Sequence, residues 1–202
     1  MNPLYREIPG QQYDPVWWAE SKGRLGCSKI AAALGFSRWS SPQRVKQEIL
    51  DPGSITPPTP RSRARMDKGL DMEPEMRRRV DEIHLMPGQV GREANMFIST
   101  LHPKLKYSPD YVAVNAQGEI EMIFEFKFRQ RKPYSMPIEH RFQMQFAMYI
   151  IGVSNCGYLV GYPDESGENC FEYQILTYDP MFIAQHLPSL EKFLSDLTRT
   201  ED

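Results

Sequence analysis

The chain has no apolar run approaching the roughly 20 residues needed to cross a bilayer as a helix. Its opening, Met1-Asn2-Pro3-Leu4-Tyr5-Arg6-Glu7, lacks a basic region followed by an apolar stretch, so it does not read as a secretory signal. Together these point to a cytoplasmic protein without membrane contact. Cysteine is scarce: Cys27, Cys156 and Cys170 are odd in number, far apart and outside any C-x-x-C pairing. That excludes a disulfide framework and a cysteine-based zinc site, and leaves buried free thiols as the plain reading. There is also no excess of charge, the formal net value being -2. A polyanionic partner would therefore have to be met by local clusters. Three are present, Arg61/Arg63/Arg65, Arg77/Arg78/Arg79 and Lys127/Arg129/Arg131/Lys132, each of which could also be solvated surface charge.

What is present suits one globular domain over residues 1–202. With 41% hydrophobic and 25% charged residues, the chain can bury a sizeable core and does not resemble a disordered one. No internal repeat is visible. Helical signals dominate the N-terminal part, about 14–86, and a sheet-containing core follows over about 88–198.

Pro15 to Arg24 and Ser28 to Leu34 read as two short helices joined tightly at Gly26, the second capped by Ser28 and stopped by Gly35. Ser41 as cap and Pro42 at the first helical position start a third, through Val45 to Leu50. Four prolines between Asp51 and Pro60 predict a loop, which runs into the basic stretch of Arg61 to Arg65. A helix resumes near Met66 and carries Glu73 and the arginine triplet toward Ile83. Pro74 lacks an amide donor and predicts either a kink or a later true start.

Hydrophobic period then changes from helical to two. Asp110 to Val114 and Glu119 to Phe128 form a hairpin through Asn115-Ala116-Gln117-Gly118. Met122, Phe124, Phe126 and Phe128 alternate onto one face, which leaves Glu121, Ile123, Glu125 and Lys127 on the other. A helix over Pro137 to Ile151, strands at Tyr158–Tyr162 and Phe171–Tyr178, and a last helix near Pro180 to Leu197 complete an α/β or α+β layering.

The chemistry lies in that hairpin. If Val114 pairs with Glu119, Asp110 lies diagonal to Glu125 on one face, close enough for the two carboxylates to share an ion. Two hard carboxylates and a backbone carbonyl suit Mg²⁺ or Mn²⁺. Lys127, two residues on, can stabilise an incipient hydroxide and charge building on a phosphate. Glu-x-Lys on a strand is commonly just an exposed ion pair, so the company matters.

Ser108-Pro109-Asp110 upstream and Glu125-Phe126-Lys127 downstream resemble the two halves of the PD-(D/E)xK nuclease motif. Arg24-Leu25-Gly26 with Ser28, Gly69-x-x-x-Glu73, Ser108-Pro109-Asp110, Glu125-x-Lys127 and Gln145-x-x-x-Tyr149 occur in the order of the lambda exonuclease family, the YqaJ-like viral recombinases. The resemblance covers about residues 17–162. It implies a restriction-endonuclease-like core with a central mixed sheet flanked by helices. It further implies a 5′-to-3′ exonuclease on double-stranded DNA that releases mononucleotides and leaves a 3′ overhang for phage-type recombination.

The same resemblance assigns roles. Asp110, Glu125 and the Phe126 carbonyl would hold metal, with two Mg²⁺ in the working centre and Mn²⁺ as a substitute. Lys127, Glu73 and Gln145 would act on the water; Glu73 could also be a first-turn helix acid, and Gln143, about 200° around the helix, is the competing glutamine. Arg24, Ser28 and Arg38 match the positions that hold a 5′-phosphate. Met66 falls near the strand-separating wedge, although a methionine there is more often packing. Tyr111 stands where many relatives have glycine, and segment 51–65 has no counterpart; a strand-tracking loop is one expectation for it. Implied partners are a homotrimeric ring of this chain around DNA, a single-strand annealing protein, and a phage or prophage setting in a bacterial cytoplasm. Two other readings stay open at this point: an endonuclease of the same superfamily, and a non-catalytic DNA-binding scaffold.

Overall fold

A computed structural model describes residues 4–9, 14–54 and 57–197. Glu201 and Asp202 lie outside the described residues.

Short elements lead. Strand β1 (Tyr5–Ile8) is followed by helix α1 (Pro15–Ser21), which Asp14 caps by accepting the Trp17 amide at 2.6 Å. The expected continuation of this helix to Arg24 is replaced by a two-residue strand, β2 (Leu25–Gly26), paired in parallel with Leu105–Lys106. Ser28 sits inside a 3₁₀ turn (Cys27–Lys29) and caps no helix; α2 (Ile30–Ala33) follows, fully buried. Helix α3 (Pro42–Leu50) starts as expected, its Ser41 hydroxyl accepting from the Arg44 amide.

Helix α4 (Pro60–Arg79) corrects the sequence reading of the basic stretch. Thr59 caps it through the Ser62 amide at 3.2 Å, so Arg61, Arg63 and Arg65 are helical and exposed, not part of a loop. Thr-Pro-x-Ser is itself a cap followed by proline at the first position, a signal masked by the prolines before it. Pro74 is accommodated within the helix without ending it, and one π-helical turn (Val80–His84) finishes the segment.

Two sheets form the frame. The first, with order β1-β4-β5-β2, uses β4 (Met96–Ser99) and β5 (Leu105–Tyr107) and was not foreseen; its strands are too short to show a period. The second, with order β3-β6-β7-β8-β9, comprises β3 (Val90–Arg92), β6 (Tyr111–Val114), β7 (Ile120–Phe128), β8 (Asn155–Pro163) and β9 (Asn169–Thr177). Helix α5 (Ile138–Ile151) is the crossover that lets β7 and β8 run parallel, and Gly152 ends it at φ 82°. Helix α6 (Pro180–Asp196) closes the chain, capped by Asp179.

β7 is covered on both faces. Met122, Phe124 and Phe126 pack against Met72, Met76 and Val80 from the α4 segment, whereas Ile123 joins the larger core of α2, α5 and α6. Phe124, Phe142 and Phe146 are completely buried, each worth roughly 1.5–3 kcal/mol relative to exposure. The face carrying Glu125 and Lys127 thus lies under α5. Cys27 and Cys156 are buried thiols as expected; Cys170 is partly exposed.

Candidate active site

The β6–β7 register is Tyr111↔Phe124, Val112↔Ile123 and Ala113↔Met122, with a bulge before Val114↔Ile120. The pairing stands two residues from the expected register, one already at the turn, where Val114 meets Ile120 and not Glu119, and one from the bulge. Continued one step, it sets Asp110 directly opposite Glu125, not diagonal to it. The Asp110 Oδ2 accepts the Phe126 amide at 2.6 Å, which ties the two halves of the motif together. Glu125 is 2% exposed. Its Oε2 accepts from the Tyr107 hydroxyl at 3.1 Å, and its Oε1 accepts from both Lys127 Nζ and Gln143 Nε2.

Two buried carboxylates this close repel. Burial first, and Glu125 second, push the Asp110 carboxyl far above the usual carboxylate range, against the pull of Lys127. Burial alone would lower the Lys127 ammonium, but Glu125 and Asp110 outweigh it and hold it above its ordinary value. Glu73 joins from α4, half-buried and raised mainly by burial, ion-paired to Arg77 at 3.0 Å and within the field of both Lys127 and Glu125. Gly69, one turn earlier, faces Phe128 of β7, where a Cβ would stand in ordinary contact at 3.7 Å from Cβ of Phe128.

Lys127 and Gln143 open onto a cavity of about 760 Å³, walled on the far side by Ser28, Lys29, Trp39 and Arg44. His140 lines it too. Burial, then Lys127 and Arg129, lower this imidazole to about 3, so it is neutral at ordinary pH. Its Nδ1 meets the Tyr158 hydroxyl at 2.7 Å and its Nε2 meets Arg129 at 3.3 Å.

The YqaJ-like viral recombinase domain matches residues 16–154, well over half of the 202. The chain belongs to that family. The alkaline exonuclease LHK-Exo from Laribacter hongkongensis has a similar fold, at TM-score 0.67 and 21% identity over 91% of this chain and 92% of its own. LHK-Exo in complex with dAMP matches at the same TM-score and coverage with 18% identity. A phage-related exonuclease from Haemophilus somnus 129PT matches at TM-score 0.53 and 11% identity over 89% and 96%. At these identities the likeness establishes the fold alone, a mixed sheet between helices. Comparison with curated proteins yields no match.

Of the residues expected in this YqaJ-like site, Asp110, Glu125, Phe126 and Lys127 come together, Glu73 stands beside them, and Ser28 faces them across the cavity. Gln145 does not. It is buried on the opposite side of α5, where its Nε2 donates to the Thr177 carbonyl at 2.9 Å and its Oε1 accepts the Asp179 amide at 2.8 Å. The glutamine at the centre is Gln143. Two glutamines two residues apart give the sequence no basis for choosing between them until the helix is docked.

Arg24 is held outside the cavity. Its Nε donates to the Pro103 carbonyl at 2.9 Å, its Nη1 to the Glu20 carbonyl, and Glu20 is its ion partner at 3.4 Å. Arg38 is exposed, its guanidinium 4.6 Å from the Trp39 ring. The cations that do line the cavity, Lys29 and Arg44, share Glu48 as partner and were missed; the only signal for Lys29 was its place beside Ser28. Tyr149 bonds His102 at 3.0 Å. Met66 is exposed on α4. Tyr111 donates to Asp81 at 2.9 Å and fills space beside Gly91.

Do these groups fit a metal? Among the described residues no three acidic, histidine or cysteine side chains gather closely enough to hold an ion unaided. The donor set is nevertheless of the right kind: all oxygen, negatively charged, and strained by like-charge burial that a divalent cation would relieve. A main-chain carbonyl and water would have to complete the shell.

Proposed function

We propose that this chain is a Mg²⁺-dependent 5′-to-3′ exonuclease that hydrolyses one strand of double-stranded DNA to mononucleotides and leaves a 3′ overhang for phage-type recombination. The observation that carries it is the Asp110–Glu125–Lys127 cluster, buried at its base and open at Lys127 to a cavity whose far wall holds Ser28, Lys29 and Arg44. Family membership supports it, as does the fold shared with LHK-Exo, described as an alkaline exonuclease and solved with dAMP.

Asp110, Glu125 and the Phe126 carbonyl would hold the metal, with Mn²⁺ able to replace it and a second ion served by Glu73. Bound there, Mg²⁺ supplies Lewis-acid stabilisation of charge on the phosphate oxygens and eases deprotonation of water. The residues do the remainder. Lys127, kept charged by the two carboxylates, stands where charge develops on the phosphate. Gln143 fixes the Glu125 carboxylate and presents its amide to the cavity. Ser28, with Lys29 and Arg44, suits a 5′-phosphate monoester; Arg24 and Arg38 reach it only by leaving their present contacts. A homotrimeric ring would supply processivity by enclosing the duplex, and a single-strand annealing protein would take the product. No helix among the described residues is long and apolar enough to cross a membrane.

The test compares linear blunt DNA with 5′-phosphate or 5′-hydroxyl ends and covalently closed circles, with Mg²⁺ and with EDTA. Degradation of linear DNA from the phosphorylated end, intact circles and full loss in EDTA are expected. Cut circles would replace the reading by an endonuclease of the same fold, and no hydrolysis at all by a DNA-binding scaffold. A monomer in sedimentation at working concentration would remove the ring.

A further inference from the structure

A second cavity, of about 450 Å³, lies on the same sheet face and has no part in the site above. Its floor is Tyr158 and Val160 of β8 with Glu172 and Gln174 of β9, and Tyr134 stands at its rim. Register fixes its distance from the catalytic pair. Glu125 stands opposite Tyr158, which stands opposite Gln174; Lys127 stands opposite Val160, which stands opposite Glu172. Directly paired residues share a face, and neighbouring strands are about 4.8 Å apart. The cavity floor therefore lies roughly 5–10 Å across the sheet from Glu125 and Lys127, the reach of a neighbouring nucleotide.

The ridge between the two cavities is the His140–Tyr158 pair, with the Arg129 guanidinium on the outer ring nitrogen of His140. A cation on a ridge between two cavities is where a phosphate joining two nucleotides would pass. Tyr134 is fully exposed, whereas the ring of Tyr173 turns to the other face of the sheet, where it stacks on His84, and takes no part in the cavity. Aromatic rings beside a basic segment bind bases of any sequence, because each base offers a π-face. The volume lies in the range of small-ligand sites.

We propose that this tyrosine-lined cavity is a nucleobase subsite for the substrate strand, taking the base just beyond the scissile phosphate on the side away from Ser28, with Arg129 meeting the phosphate between. This rests on the exonuclease reading. The occupant is an unpaired base, so the subsite holds the first melted nucleotide next to the one being removed. Tyr134 closes over it.

Binding and cleavage are measured separately. Two DNAs carry the same 5′-phosphorylated, three-nucleotide unpaired overhang, one with an abasic residue at the second nucleotide, so that base loss changes no pairing. Affinity is read by fluorescence anisotropy in EDTA, where catalysis plays no part. For the wild-type chain the abasic DNA should bind at least about fivefold more weakly. In Tyr134→Ala that penalty should fall below about twofold, while Tyr134→Phe, which keeps the ring, should behave as wild type. Tyr134 is fully exposed, so neither variant threatens folding. Equal affinity of the wild type for both DNAs, or a full penalty surviving in Tyr134→Ala, overturns the subsite. If the affinity pattern holds but Mg²⁺ releases no nucleotide, the subsite stands and the nuclease reading falls.

Discussion

Replacing Gln145 and Gln143 one at a time by alanine separates the two glutamines that sequence alone could not rank. Gln145 bridges the end of β9 to the start of α6 through the Thr177 carbonyl and the Asp179 amide. Truncation leaves one donor and one acceptor without a side-chain partner. An unsatisfied buried polar group costs about 1–3 kcal/mol, but this junction is only partly buried and water can enter. The total should fall near about 1–3 kcal/mol, equivalent to a Tm lower by about 2–10 °C for a chain of this size. Because the site of damage is on the far side of α5 from Glu125, kcat of the still-folded protein should be unchanged. Gln143→Ala should do the reverse. It frees the Glu125 carboxylate from one of its three donors and removes an amide from the cavity, so kcat should drop while Tm moves less. The assays are thermal unfolding followed by circular dichroism and nucleotide release below both melting temperatures. A Gln145→Ala protein with wild-type Tm and lost activity would refute the placement of the two side chains.

Lys127→Ala should lower nucleotide release by about 100-fold or more while DNA affinity in EDTA stays within a few-fold; near-normal turnover would displace the assigned centre. His140 bears on acid stability. Its folded value, about 3, lies below the ordinary 6.5, so the unfolded chain binds the extra proton first, and stability is lost as pH falls from about 6.5 toward 3. Urea unfolding at pH 7 and pH 4.5 should therefore show a larger loss for wild type than for His140→Gln, and equal losses would show that other groups set the acid limit. Arg61 and Arg65 are four apart on the exposed start of α4 and share a face. Neutralising both should flatten the slope of log affinity against log salt by about two, and an unchanged slope would take this helix off the DNA path.

The sequence by itself determined the parts whose signal is local. The cap Ser41, the end of α5 at Ile151 and the alternation along β7 each depend on residues within a few positions of one another, so these elements stand close to where the sequence puts them. The motif order was likewise enough for the family, and strand periodicity puts a Glu-x-Lys pair such as Glu125 and Lys127 on one face whatever surrounds it. Helix α4 shows the limit of this kind of reading, since its prolines obscured a cap that the docked helix uses.

What only the tertiary structure decided is everything set by docking. The bulge at Ala113/Val114 changed which residue Asp110 faces, and no local pattern specifies a bulge. The angle at which α5 lies over β7 selected Gln143 instead of Gln145, both buried and both polar. The four-stranded sheet, built from segments far apart in the chain, turned Arg24 toward Glu20 and Pro103 and left Lys29 and Arg44 to line the cavity. Side-chain chemistry is written residue by residue, but which groups meet depends on contacts between distant segments, and those form only when the layers pack.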